Sequence, residues 1–84
     1  MPELIAEMSS DLKAHPLARE FFIVSKKWIM NLTSFFLIYY YEEHENLDSK
    51  VQILENYGVV VDVTKGNAKK YRLMEGFVEF LLNL

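Results

Sequence analysis

Eighty-four residues with 51% hydrophobic and 25% charged side chains make one globular domain. At this size a single core buries roughly 60% of the unfolded chain's surface, so help from a partner is an expectation from the start. The chain has no cysteine, which excludes disulfides, thiolate metal centres and a cysteine nucleophile, and makes a reducing, cytoplasmic setting the expected one. A net charge of −3 gives no general attraction to nucleic acid, and the opening residues do not read as a signal peptide.

In chain order, Pro2 and Glu3 sit where a helix starts, and Leu4, Ile5, Met8 and Leu12 follow at helical spacing. Pro16 lacks a backbone donor, so it opens a second helix, "PLAREFFIVSKKWIMN". There Leu17, Phe21, Val24 and Trp28 form one stripe, widened by Ala18, Phe22 and Ile29. The next stretch, "NLTSFFLIYYY", suits a strand by its aromatic and β-branched content and a helix by its length and its Thr33 or Ser34 start signal; we read a third helix. The apolar window 28–41 falls short of the roughly 20 residues that a membrane span needs, so it is expected to be core, with no membrane partner. Asn31-Leu32-Thr33 matches a glycosylation acceptor and, with no secretion signal, is read as a chance match.

After the polar break "EEHEN", Leu47, Val51 and Leu54 recur at i, i+4 and i+7 in a fourth helix that must stop at Gly58. The period then changes. Residues 59–64 and 69–73 are extended runs joined by "KGNA", where Gly66 and Asn67 tolerate the positive φ of a tight hairpin. Tyr71 and Leu73 share one face of the second run, Lys70 and Arg72 the other. Phe77, Phe80, Leu81 and Leu84 line one side of a closing helix.

The phrase "LENYGVVVDVTKGNAKKYRLMEGFVEFL" resembles the end of a winged helix-turn-helix domain, with Leu54, Gly58, Val59 and Val60 closing a third helix and Tyr71, Arg72 and Leu73 forming the return strand. "DLKAHPLARE" is similar to the entry of the ArsR-type repressors. The middle helix departs from that pattern, offering Leu37, Ile38 and three tyrosines where the family keeps a small residue. The resemblance implies a mainly α domain with a β-hairpin: a winged-helix-like α+β fold of four to five helices and a two-stranded wing. One domain, 1–84, would comprise an N-terminal helix in 1–15 serving as a dimerisation arm, a wing hairpin in 59–73 and a C-terminal helix in 75–84. It also implies a transcription regulator that binds double-stranded DNA as a homodimer through its terminal helices, here Leu4, Ile5, Met8, Leu12, Phe77, Phe80, Leu81 and Leu84. Packing of those stripes on the chain's own core is the competing expectation.

Charge divides the chain into two surfaces. The hairpin carries Lys65, Lys69, Lys70 and Arg72 with no acid among residues 65–72, a set suited to phosphate contact, with Lys26 and Lys27 as a second patch. The same lysines would also protect an ordinary sheet edge. The segment before the hairpin holds Glu42, Glu43, Glu45, Asp48 and Glu55 against Lys50 alone, a field that a groove-reading helix would have to overcome. Ser49, Lys50 and Gln52 are its only base-contacting candidates. The acidic segment therefore supports an alternative: a protein-interaction module that meets a basic partner, a DNA mimic being one case.

Catalysis finds no motif. His15 and His44 are the only histidines, and His44 within "EEHE" is expected to face solvent near a turn. Gly58, Gly66 and Gly76 are separate and make no phosphate loop, and the carboxylates lack the ligand spacing of a calcium loop. No enzyme activity, metal or cofactor is expected. The twelve aromatic side chains are mostly core, with base stacking as the lesser alternative and some surplus left to cover another chain.

Overall fold

A four-stranded mixed sheet organises the chain. The computed structural model describes residues 1–27 and 37–84. In order they form α1 (Pro2–Ala14), β1 (Glu20–Val24), β2 (Leu37–Tyr40), α2 (Leu47–Asn56), β3 (Val60–Asp62), β4 (Lys69–Leu73) and α3 (Glu75–Leu82). The strands lie in the order β2-β1-β4-β3, with β1 parallel to β2 and antiparallel to β4, and β4 antiparallel to β3.

This corrects the winged-helix-like expectation of four to five helices and a two-stranded wing: the described residues hold three helices and four strands. The second expected helix fails at "EFFIV". Its apolar residues fit a helical stripe and a pleated surface equally, and a run this short cannot be assigned by period alone. Aromatic and β-branched content favours the sheet, and Phe21 and Ile23 are indeed turned inward. Leu17, the first member of the supposed stripe, is 90% exposed. Part of the third expected helix is strand as well, since Leu37 and Tyr39 are buried in alternation with half-buried Ile38 and Tyr40. The start of that helix at Thr33 or Ser34, the stripe members Trp28 and Ile29, the aromatics Phe35 and Phe36 and the triplet Asn31-Leu32-Thr33 lie outside the described residues.

The hairpin is half of the sheet. Its strands pair with each other, Val60 facing Leu73, but β4 also pairs along its other edge with β1, Phe21 facing Tyr71. Neither Gly66 nor Asn67 takes a positive φ. The loop is held instead by side chains: the Thr64 amide donates to Asp62 Oδ1 at 2.8 Å, and the Lys70 amide donates to the Thr64 hydroxyl at 2.9 Å.

Cross-strand neighbours share a face, so Phe21, Ile23, Leu37, Tyr39, Tyr71 and Leu73 all point to one side of the sheet. Phe21 packs between Tyr39, edge-on at 5.5 Å, and Tyr71, stacked at 5.4 Å. The helices supply the other half of this core: Leu4, Met8 and Leu12 from α1, Leu47, Val51 and Leu54 from α2, and Phe77, Val78 and Leu81 from α3. A buried hydroxyl ties α1 to α3, Ser9 Oγ donating to the Leu81 carbonyl at 2.7 Å.

The expected dimer surface is largely this core. Leu4, Met8, Leu12, Phe77 and Leu81 are buried within the single chain and Ile5 packs against them, which leaves only Phe80 and Leu84 of that set exposed. The reason is geometric: α1 and α3 need their apolar stripes to cover the sheet. Among the described residues, no helix is long and apolar enough to cross a membrane.

His44 is a second correction, since it is 5% exposed and faces inward. The turn that buries it ends at Asn46, whose left-handed backbone (φ 56) precedes α2. His44 Nε2 meets Glu7 Oε1 of α1 at 2.5 Å, and the imidazole lies edge-on to the Tyr39 ring at 6.2 Å. The Tyr39 hydroxyl and His44 Nδ1 are buried without a hydrogen-bond partner in the structure. Burial, and after it the Asp11 and Glu7 carboxylates, push ionisation of the Tyr39 hydroxyl well above the usual tyrosine range.

The folded chain therefore keeps a phenol proton that the unfolded chain releases above about pH 10, so this contribution to stability is intact below pH 10 and falls as pH rises further. Tyr39→Phe removes the titrating group along with its unpartnered hydroxyl. Urea titrations should show stability at pH 7 held or raised by up to about 1 kcal/mol, and a shallower decline above pH 10 than in the unaltered chain. An unchanged alkaline slope would contradict the burial of this hydroxyl.

Candidate interaction surface

The end of α2 and the start of α3 frame a groove. α2 stops at Tyr57, and Gly58 takes the left-handed backbone (φ 76) that a side chain resists. The Gly58 amide donates to the Glu55 carbonyl at 2.9 Å and the Val59 amide to the Leu54 carbonyl at 3.2 Å, the paired bonds of a Schellman ending. Val59 thereby comes back over Leu54, and its carbonyl accepts from the Met74 amide at 3.0 Å, which holds the start of β3 beside the start of α3.

Between these ends lies an open groove of about 430 Å³. Buried Leu54 and Phe77 lie beneath it, and Tyr57, Met74 and Phe80 rise around it with 79%, 41% and 54% of their surface exposed. Phe77 and Phe80 stack at 6.2 Å, so the exposed ring continues the buried one. Gly76 opens the groove further, because a Cβ built there meets nothing within 4 Å.

Each of these residues is locally unfavourable. Met74 is the N-cap of α3 yet makes no side-chain cap, where Ser, Thr, Asp or Asn would stabilise the helix by about 1 kcal/mol. Gly76 lies inside the helix, at a cost of roughly 0.5–1 kcal/mol relative to alanine. Tyr57 and Phe80 leave aromatic area in water.

The two charged surfaces of the sequence meet in the fold. Lys69 Nζ pairs with Asp48 at 2.9 Å, and Asp48 also accepts from the Tyr41 hydroxyl at 3.0 Å. The Asp48 bond holds the Lys69 ammonium above its ordinary range. Arg72 reaches Glu20 at 3.2 Å and Lys70 lies 3.7 Å from it, with the Lys70 ammonium also 5.8 Å from the Phe22 ring centre. Asp62 faces Tyr71 across the hairpin, so three carboxylates stand among the four cations, and Lys65 projects at the exposed loop.

The acidic segment is similarly occupied. Glu42 accepts from the Ser25 hydroxyl at 2.5 Å and the Lys26 amide at 2.9 Å, the hydroxyl first and the amide second in holding its carboxyl below the usual range. Glu43 pairs with Lys26 at 2.7 Å, while Glu45 is exposed and Glu55 half-buried. Lys50 is half-buried on α2, and Gln52 donates to Asn56 at 3.1 Å. The Lys27 amide caps back onto Ser25 at 3.2 Å.

The fold thus brings Lys69 to Asp48, and Lys70 and Arg72 to Glu20, so that among the described residues three of the four hairpin cations stand beside a carboxylate. Tyr57, Met74 and Gly76 are site residues that periodicity and charge do not single out. Their signal is of another kind: an aromatic directly before the terminating glycine, a methionine where a cap belongs, and a glycine two places into a helix. The pair of buried His44 and half-buried Glu7 is the nearest approach to catalytic geometry among the described residues, yet neither residue lines the α2–α3 groove. Among the described residues, no group of three His, Asp or Glu side chains could hold a metal ion. No family model, curated protein or solved structure matches this chain.

If the groove is maintained at the expense of stability, filling in its local rules should stabilise the chain. Met74→Thr combined with Gly76→Ala should raise unfolding free energy by about 1–3 kcal/mol in urea. A loss of stability would show that these side chains serve the fold itself.

Proposed function

We propose that this chain is a non-catalytic binding module that engages another polypeptide through the groove between α2 and α3. The observation that carries the reading is the convergence of Tyr57, Met74, Gly76 and Phe80, two exposed rings, a methionine at an uncapped helix start and a glycine in the first turn, on one open apolar concavity. Large exposed apolar patches on small domains mark contact surfaces, and methionine with aromatics adapts to varied partners.

A duplex-contacting role for Lys65, Lys69, Lys70 and Arg72 has less support. With Glu20 and Asp48 bonded to three of these cations, the field they project is weak beyond a screening length of roughly 8 Å. Of the acidic set Glu42, Glu43, Glu45, Asp48 and Glu55, Asp48 is bonded to Lys69, Glu42 to Ser25 and the Lys26 amide, and Glu43 to Lys26, which weakens a purely electrostatic role for that segment.

Nuclear magnetic resonance gives the test. Indole, the simplest mimic of an aromatic anchor, should move the Met74 methyl and the Tyr57 and Phe80 rings while leaving the buried Met8 methyl in place. Gly76→Leu, which fills the groove, should suppress the response. Shifts spread evenly over the surface, or unaffected by that substitution, would contradict the reading. A labelled duplex should show no saturable binding at about 0.15 M salt, and binding that disappears in the Lys69→Glu, Lys70→Glu double variant would restore the nucleic-acid role.

A further inference from the structure

We propose that the polypeptide entering the α2–α3 groove is a second copy of this chain, which inserts its Leu17 there and receives the first copy's Leu17 in return; the proposal rests on the groove reading above. Leu17 is the most exposed large apolar side chain among the described residues, at 90%. It stands on a tight turn between α1 and β1, where the Ala18 amide donates to the His15 carbonyl at 3.0 Å. Such turns ordinarily carry glycine, asparagine, aspartate or serine. Arg19 braces this one: its Nη1 donates to the Pro16 carbonyl at 2.6 Å and the Ala18 carbonyl at 2.9 Å, and its Nε to Glu75 at 2.7 Å. An apolar knob on a braced turn has little backbone freedom left to lose on docking.

The same contacts join knob and groove. Glu75 opens α3 between Met74 and Gly76, two residues that line the groove, and the Leu73 amide donates to the Arg19 carbonyl at 2.6 Å. The Leu17 turn is thus fastened to the start of α3, yet Leu17 itself is no part of its own groove's lining. A projection and a concavity tied together on one body suit a two-fold interface, in which each copy gives and receives the same contact.

The area available fits a weak dimer. At roughly 150–250 Å² for a whole side chain of this size, covering Leu17, Tyr57, Met74 and Phe80 on both copies removes on the order of 1,000 Å² from water. Stable specific interfaces begin at about that value, so the association is concentration-dependent and not obligate. The net charge of −3 on each copy opposes it little, because salt screens it beyond roughly 8 Å.

Sedimentation equilibrium up to millimolar concentration tests the exchange. The unaltered chain should pass from monomer to dimer. Leu17→Asp removes the knob and Gly76→Leu fills the groove, and each should raise the dimer dissociation constant at least about tenfold. Leu17 is exposed and a Cβ at Gly76 meets nothing within 4 Å, so both substitutions fall in open space. A mixture of the two variants should associate more tightly than either alone, because one Leu17 and one open groove still meet across the mixed dimer. A dimer that survives either substitution, a mixture no tighter than its parts, or assemblies growing past the dimer would overturn the exchange. If the unaltered chain stays monomeric while indole still moves Met74 and Phe80, the second copy is not the occupant and the groove reading stands. If it stays monomeric and indole has no effect, both fall.

Discussion

The antiparallel register of β1 against β4 is the constraint on which the rest of the architecture depends. It sets Phe21 against Tyr71 on the inner face and Glu20 against Arg72 and Phe22 against Lys70 on the outer one. On the inner face it builds the aromatic layer that α1, α2 and α3 must cover, and this consumes their apolar stripes. On the outer face it lays the basic side of the hairpin beside a carboxylate, so the cations that would reach outward from a free wing are held within their own sheet. One pairing therefore accounts both for the burial of most of those apolar stripes and for the pairing of Lys70 and Arg72 with Glu20.

What remains after the sheet is covered and its charges are paired is the margin where α2 ends and α3 begins. The Schellman ending at Gly58 and the uncapped start at Met74 leave a gap that neither helix closes, and Tyr57 and Phe80 border it without filling it. Locally consistent sequences are the rule because consistency stabilises one fold, and departures concentrate where a surface serves something else. Four such departures lie in this one concavity.

Much of this is legible in the residues, and the failures have physical causes. α1, α2 and α3 stand where helical spacing places them, because each is long enough for its stripe to repeat, and Gly58 ends α2 as its position demands. β1 is hidden because Phe21 and Val24 fit a helical stripe as well as an extended one, and the partner that decides the matter, β4, lies far along the chain. Pairing at such distance leaves no local mark. His44 is hidden for the same reason: "EEHE" looks solvated, and only the approach of Glu7 from α1 turns the ring inward. The groove is half legible, since Phe80 stands out as an apolar residue suited to contact, while Met74 and Gly76 carry no periodic or charge signal and gain their meaning only once α3 is seen to start between them.

The most direct test is the backbone contact between β1 and β4 in solution. The Leu73 amide donates to the Arg19 carbonyl at 2.6 Å, which makes that facing pair a hydrogen-bonded one. Glu20 with Arg72 and Phe22 with Lys70 are then the closely spaced pairs, their Cα atoms about 4.5 Å apart. Nuclear Overhauser spectra should show strong Hα–Hα contacts for both pairs. If β4 instead shows contacts to β3 alone, with none to β1, the hairpin is a free arm whose cations are available, which contradicts both the sheet order and the charge pairing that follows from it.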